Sequence, residues 1–441
     1  MKGVLVLAAL MSAGLAWGQD APTAPMELTL EKAIALGLEQ NLDISLARER
    51  LAGLEALRRE AIGAALPALS LNSSYNRNLK KPAFFLGGQA ITAGSDNSLR
   101  HAFNLQQYLF AGGAVSEGMK AARIGVEGGQ AQVRGAKEDV VLAVKQFFYA
   151  VCLASETASI QRDFLALAED HLKTIAERFR QGLDSDLVVL RQKVEVANAQ
   201  PALVAARNAH ELSLTLLKDS LGLDVDAPVR VLGSLDGGRV VLMSYESLQS
   251  AALERNPAYQ TARKQWEQSE SLVHVAQAGR WPLLSLYADY QWYSESNADW
   301  PGPNERAWSS VAGLRLNYPF FTGGQTSAKI AQARSRRDAA RTGMEQVARG
   351  IRVEVKRQWL AVKEALERAQ SQESAISQAR RALEATEIRY RAGEASLLEQ
   401  NDATLALQQT RLLYANALHD YRAALAALER AVGMPVEEVV R

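Results

Sequence analysis

Residues 139–182 read DVVLAVKQFFYAVCLASETASIQRDFLALAEDHLKTIAERFRQG. Val140, Val144, Phe147, Val151, Ala154, Ala158, Gln161, Leu165, Ala168, Leu172, Ile175 and Phe179 follow alternating spacings of four and three, and only Gln161 among them is polar. A heptad seam of this kind predicts a helix in coiled-coil contact with partner helices. The register returns in residues 350–393, at Ile351, Val355, Gln358, Val362, Ala365, Ala369, Gln372, Ile376, Ala379, Leu383, Thr386 and Tyr390. From Gly113 to Gln181 the chain has about 70 residues, so at 1.5 Å per residue a helix of roughly 100 Å is predicted. Taken alone, the helices also suit an isolated antiparallel coiled coil, the strut or hairpin of an adaptor or scaffold protein.

The recurrence extends beyond the seam. Leu38-Glu39-Gln40-Asn41 matches Leu253-Glu254-Arg255-Asn256, and Leu66-Pro67-Ala68-Leu69-Ser70-Leu71 matches Trp281-Pro282-Leu283-Leu284-Ser285-Leu286, both at a shift of 215. Phe110-Ala111-Gly112-Gly113 matches Phe321-Thr322-Gly323-Gly324, Phe179-Arg180-Gln181-Gly182 matches Tyr390-Arg391-Ala392-Gly393, and Leu221-Gly222-Leu223 matches Val432-Gly433-Met434, all at a shift of 211. Matches in constant order predict a duplicated chain. We divide it into a first repeat at 19–242 and a second at 243–441. Each repeat is expected to hold a helical stretch (about 28–64, about 245–279) and a β-hairpin (about 66–110, about 282–320). Long helices follow, turning at about 182 and about 393.

Composition narrows the function. A net charge of +1 over 441 residues argues against a nucleic-acid partner. Cys152 is the single cysteine, so no disulfide forms within the chain. It reads as a packed thiol, and His171 and His419 read as helix-surface residues. The histidines have no metal-ligand spacing, and no phosphate loop or nucleophile elbow is present. We therefore expect no enzyme, no cofactor and no metal site. Lys2, the apolar run Val4–Leu15 and the small residues Ala16 and Gly18 form a predicted signal peptide at 1–18. No lipid-anchoring cysteine lies near it. No later apolar run of about twenty residues suggests a membrane helix, so membrane insertion would require a β-barrel.

The predicted strands suit that requirement. Leu69–Asn76, Phe103–Gln106, Leu284–Trp292 and Trp308–Tyr318 alternate apolar and polar residues and carry aromatic ends. This is the pattern of spanning strands between lipid and water. Leu71, Leu286, Leu314 and Leu316 are expected on the lipid face, and Asn72, Ser285, Asp289 and Arg315 on the lumen face. Four strands cannot close a barrel, since such barrels start at about eight, so copies of the chain must share one.

Signal peptide, duplicated halves, paired strands and long alanine-rich helices together resemble the TolC-type outer-membrane efflux protein family. The most specific residues are the F/Y-R-x-G turns at Phe179–Gly182 and Tyr390–Gly393 and the Gly112-Gly113 and Gly323-Gly324 strand-to-helix joints. The resemblance covers essentially the whole chain after residue 18. It implies a mainly α protein with membrane β: a homotrimeric twelve-stranded β-barrel in outer-membrane lipid, continued by a periplasmic α-helical coiled-coil barrel. It implies a passive conduit for efflux or type I secretion, with a periplasmic adaptor and an inner-membrane pump as partners. Phe179, Arg180, Gly182, Arg391 and Gly393 would dock the adaptor. Glu399, Asp402 and Tyr390 would form the periplasmic gate, the two carboxylates lying six and nine residues after Gly393. Ser396-Leu397-Leu398-Glu399 is also a capping box, which gives Glu399 a purely structural alternative. Val188 stands where the family's best-known member has a carboxylate, and Ala395 where it has an arginine, so the polar links of a closed end are expected to be incomplete.

Overall fold

The computed structural model describes residues 26–236, 243–298 and 306–435. The signal peptide at 1–18 lies outside the described residues. The first repeat opens with a short strand, β1 (Met26–Leu28), then helices α1 (Leu30–Gln40) and α2 (Leu42–Gly63). Strands β2 (Ala68–Arg77) and β5 (Asn97–Phe110) enclose a small hairpin, β3 (Ala83–Leu86) and β4 (Gln89–Thr92). Helices α3 (Ala114–Arg180) and α4 (Asp186–Ser220) follow, and β6 (Val229–Val231) pairs in parallel with β1. The second repeat comprises α5 (Tyr245–Arg255), α6 (Pro257–Ala278), β7 (Leu283–Ser296), β8 (Arg306–Asn317), α7 (Gln325–Arg391) and α8 (Leu397–Val432).

The long helices α3 and α7 each have 67 residues. Their seams are buried at Val140, Val144, Val151, Ala158, Ala168 and Ile175, and at Ile351, Val355, Val362, Ala365, Ala369, Leu383 and Tyr390. The cores of the two repeats coincide under the sequence shift. Val144, Val151, Leu217 and Leu221 correspond to Val355, Val362, Leu428 and Val432, and all eight are essentially inaccessible. Full burial of each such side chain is worth ~1.5–3 kcal/mol against exposure. Central α3 is apolar enough over eighteen residues to cross a membrane by composition. Its apolar side chains instead pack against α1, α4 and α8.

Two expectations need correction. Phe179 ends the predicted seam but is exposed, because at the end of α3 no helix among the described residues covers it. His171, expected at the surface, is 7% exposed, because α7 and α8 close over that face of α3 and supply it with polar partners. The predicted helical stretches 28–64 and 245–279 are each two helices, broken at Asn41 and Asn256. Each asparagine caps the following helix with its side-chain oxygen. Its amide donates to the end of the repeat's last long helix, Asn41 to the Ser220 carbonyl (3.2 Å) and Asn256 to the Ala431 carbonyl (2.9 Å).

The principal sheet is antiparallel, in the order β2-β5-β7-β8. Its hairpins superpose on the repeat: Leu71 opposes Phe103, and Leu286 opposes Leu314, each residue shifted by the repeat offset. The Gly-Gly joints turn strand into helix with positive φ at all four glycines. A Cβ on Gly112 would also come within 2.6 Å of Trp281 Cβ, so the joint is packed against the corner that precedes β7.

Candidate functional site

The pleat sorts the sheet into two chemically different faces. Its register puts Leu71, Leu286, Leu314 and Leu316 on one face, with Phe103, Tyr290, Trp292 and Trp308. The four leucines are exposed, Leu316 by 66%. Asn72, Ser285, Asp289 and Arg315 share the opposite face. There the Asn72 amide donates to Asn104 Oδ1 (2.7 Å), and the Asn104 amide donates to Asp289 Oδ1 (2.6 Å), a polar ladder across three strands. The Arg315 guanidinium lies 4.7 Å from the centre of the Tyr287 ring.

The far end of the molecule is built from the two F/Y-R-x-G turns. Gly182 (φ 76°) and Gly393 (φ 78°) each follow a long helix in left-handed geometry. Gly182 N–H donates to the Phe179 carbonyl and Leu183 N–H to the Arg178 carbonyl, both at 2.9 Å. Gly393 and Glu394 donate in the same way to Tyr390 and Arg389. These are paired Schellman bonds, which explains glycine at the turn. Phe179, Arg180, Gly182, Arg391 and Gly393 are all exposed, as are Leu183, Leu187, Ile388 and Leu398 around them.

Tyr390 is different: it is buried against Ile175 and Val189 of the first repeat. Its phenol donates to Asp184 Oδ2 (3.3 Å), and Arg178 Nε donates to the same oxygen (2.9 Å). The Arg178 guanidinium also lies 5.2 Å from the Tyr390 ring centre. Burial, then the negative charge of Asp184, pushes the Tyr390 phenol up to about 12, so it stays a proton donor at neutral pH. This cluster ties the first turn to the end of α7. Sequence reasoning missed Arg178 and Asp184. The available signal was an asymmetry between repeats: tyrosine replaces Phe179 at 390, whereas alanine replaces Asp184 at 395.

A second tie lies deeper. His171 Nε2 is 3.0 Å from the Gln400 amide nitrogen and 3.5 Å from Glu387 Oε1. Burial lowers the His171 pKa, against the raising effect of Glu387. Glu399 realises the capping box: Ser396 N–H donates to Glu399 Oε2 (2.7 Å), and Glu399 N–H donates to Ser396 Oγ (3.3 Å). The Ser396 N–H, then the Ser396 hydroxyl, which donates to Glu399 Oε2 at 3.0 Å, hold the Glu399 carboxyl below the usual range. Asp402, exposed one turn further on, lines a cavity of about 650 Å³ with Arg191 and Glu195 of α4. The fold thus brings Tyr390 to Asp184, while Glu399 and Asp402 stand together at the start of α8.

The sequence pattern of outer membrane efflux proteins matches residues 33–223 and 248–434, both repeats almost end to end. The chain belongs to the outer membrane efflux protein family. Outer membrane protein TolC of Vibrio cholerae is 23% identical over 402 residues, 90% of this chain and 88% of the relative. The alkaline protease secretion protein AprF of Pseudomonas aeruginosa is 24% identical over 75% of this chain and 69% of its own length. The solved CmeC outer membrane channel of Campylobacter jejuni superposes with a TM-score of 0.79 at 18% identity, covering 98% of this chain and 94% of CmeC. The chain is therefore an outer-membrane channel protein of efflux or secretion systems. Its sheet lies at the membrane end and its helices form the periplasmic part.

Proposed function

We propose that the chain is one subunit of a homotrimeric passive conduit, with no chemistry of its own. The supporting observation is an unequal covering of equivalent surfaces. Inside the chain, α6 packs between α3 and α7, and β5 pairs with β7. The equivalents α2 and β2 keep an open flank, as do α7 and β8 on the other side. A head-to-tail contact repeated around a ring covers both flanks. Three copies, the number implied by the family resemblance, give twelve strands and leave no edge in lipid. The leucine face then meets outer-membrane lipid and the Asn72-Asn104-Asp289 face lines the lumen. The exposed turns dock a periplasmic adaptor, and an inner-membrane pump supplies the energy.

The repeat also implies a register between subunits. Asn104 opposes Asp289 within the chain. Shifting these by 211 and −215 puts Arg315 opposite Ser74 of the next subunit. Disulfide trapping of Arg315→Cys with Ser74→Cys should yield covalent trimers, and pairing Arg315→Cys with Asn72→Cys or Asn76→Cys should yield far fewer. Native Cys152 is buried, and its thiol is pushed up to about 11 by burial, so it does not compete. A monomeric detergent particle with no cross-linking at any of these pairs would overturn the reading.

A further inference from the structure

On the leucine face, one register row crosses all four strands near their loop ends: Ser73, His101, Trp292 and Trp308. His101 stacks on Trp292 with ring centres 5.1 Å apart. Its Nδ1 is engaged by Ser73 Oγ at 2.8 Å, which leaves Nε2 to point elsewhere. Arg306, at the start of β8, holds its guanidinium 5.4 Å from the Trp292 ring centre. Histidine and arginine thus approach one indole from the strands on either side of it. Trp308 is 67% exposed beside them.

The height of this row is informative. From Leu283 to Trp292 is nine steps along β7. At ~3.4 Å per residue and a tilt of ~45°, that is about 22 Å, close to the ~25 Å apolar band of an outer-membrane barrel. The lower rim carries Tyr318, Phe320, Phe321 and Trp281, all exposed. The row is therefore the upper aromatic girdle, and Arg306 stands just beyond it, where lipid headgroups begin. Because the helices hang from the lower rim into the periplasm, this end meets the outer leaflet.

We propose that His101, Trp292, Arg306 and Trp308 form a binding site for a phosphorylated lipid of the outer leaflet. Acyl chains would lie on the leucine face below, and the headgroup phosphate would accept from the Arg306 guanidinium and His101 Nε2. The proposal rests on the barrel reading above. A cation held against an indole at the rim of an apolar face complements a ligand that is anionic above and apolar below. On the lumen face, Arg100 opposes Tyr293 and Arg315 lies over the Tyr287 ring, but that face carries Asn72, Asn104 and Asp289 in place of exposed leucines, so no surface for acyl chains adjoins either cation.

The test uses the intact trimer purified in a neutral detergent. It is incubated with lipid A bearing both phosphates, or with its dephosphorylated form, and retained lipid is counted by native mass spectrometry. Wild type should retain the phosphorylated lipid roughly tenfold better, the scale of one or two charge-assisted hydrogen bonds. Arg306→Gln should remove that preference, Arg306→Lys should restore part of it, and Arg315→Gln should leave it unchanged. Excess inorganic phosphate should not displace the lipid. Equal retention of both lipids by wild type, or an undiminished preference in Arg306→Gln, would reduce the row to a plain aromatic belt. Failure of the barrel itself would look different: no lipid of either kind would be retained, and no trimer would be found.

Discussion

Tyr390 and Phe179 occupy equivalent places in the two repeats, yet one is buried with a hydroxyl and the other exposed without one. Tyr390 packs on the first repeat, where Asp184 accepts from its phenol. In a ring, Phe179 would face the second repeat of the next subunit, where Ala395 offers no acceptor. The choice of aromatic residue thus follows the partner. If the Asp184-Arg178-Tyr390 tie holds the periplasmic end shut, Tyr390→Phe and Asp184→Asn should each raise single-channel conductance. A double-mutant cycle on thermal stability should show a coupling of about 0.5–1.5 kcal/mol, the net worth of one hydrogen bond. The phenol is raised from 10 to about 12, so the folded state holds the proton longer than the unfolded state. Its contribution is therefore constant through neutral pH and is lost as pH rises from about 10 towards 12. Additive single variants with unchanged conductance would assign Tyr390 to packing alone.

Among the elements, the long helices, glycine joints and spanning strands were legible because each carries a strict period or a residue with one conformational use. The helix breaks at Asn41 and Asn256 were not, because a single asparagine does not interrupt an apolar pattern. They show only once the amide is seen to bridge to a helix end 179 or 175 residues away. The β3–β4 hairpin was missed for want of length, since four-residue strands hardly display alternation. Arg178 and Asp184 were missed because their partner is remote: Tyr390 lies 206 positions from Asp184. The F/Y-R-x-G turns were legible as turns, and their geometry sets a test of their use. A Cβ at Gly182 or Gly393 would meet no neighbour within 4 Å, so the main cost of valine there is the left-handed backbone, ~1–2 kcal/mol. That is small against the buried helical cores. Each variant should therefore still form trimers in detergent, while drug or polypeptide export in cells fails through lost adaptor contact. Loss of the trimer would instead assign the turns to folding.

At the scale of the whole molecule, a threefold ring would turn one exposed helix start into a constriction. Glu399 and Asp402 lie one helical turn apart at the tip of α8, so three copies would gather six carboxylates around the tunnel end. Hydrogen bonds from Ser396 already hold Glu399 in its charged form. Mutual repulsion in the ring acts against that and is relieved by a bound cation or by a wider aperture. Divalent or trivalent cations added on the periplasmic side should therefore block current through the trimer in planar bilayers. Replacing Glu399 by Gln together with Asp402 by Asn should remove most of the block and weaken cation selectivity. Stability should change little, because glutamine still completes the capping box. Glu399→Gln alone should give an intermediate effect, since Asp402 retains its charge. Unchanged block in the double variant would leave Glu399 as a helix cap and move the constriction elsewhere, most directly to the level where Tyr390 meets Asp184.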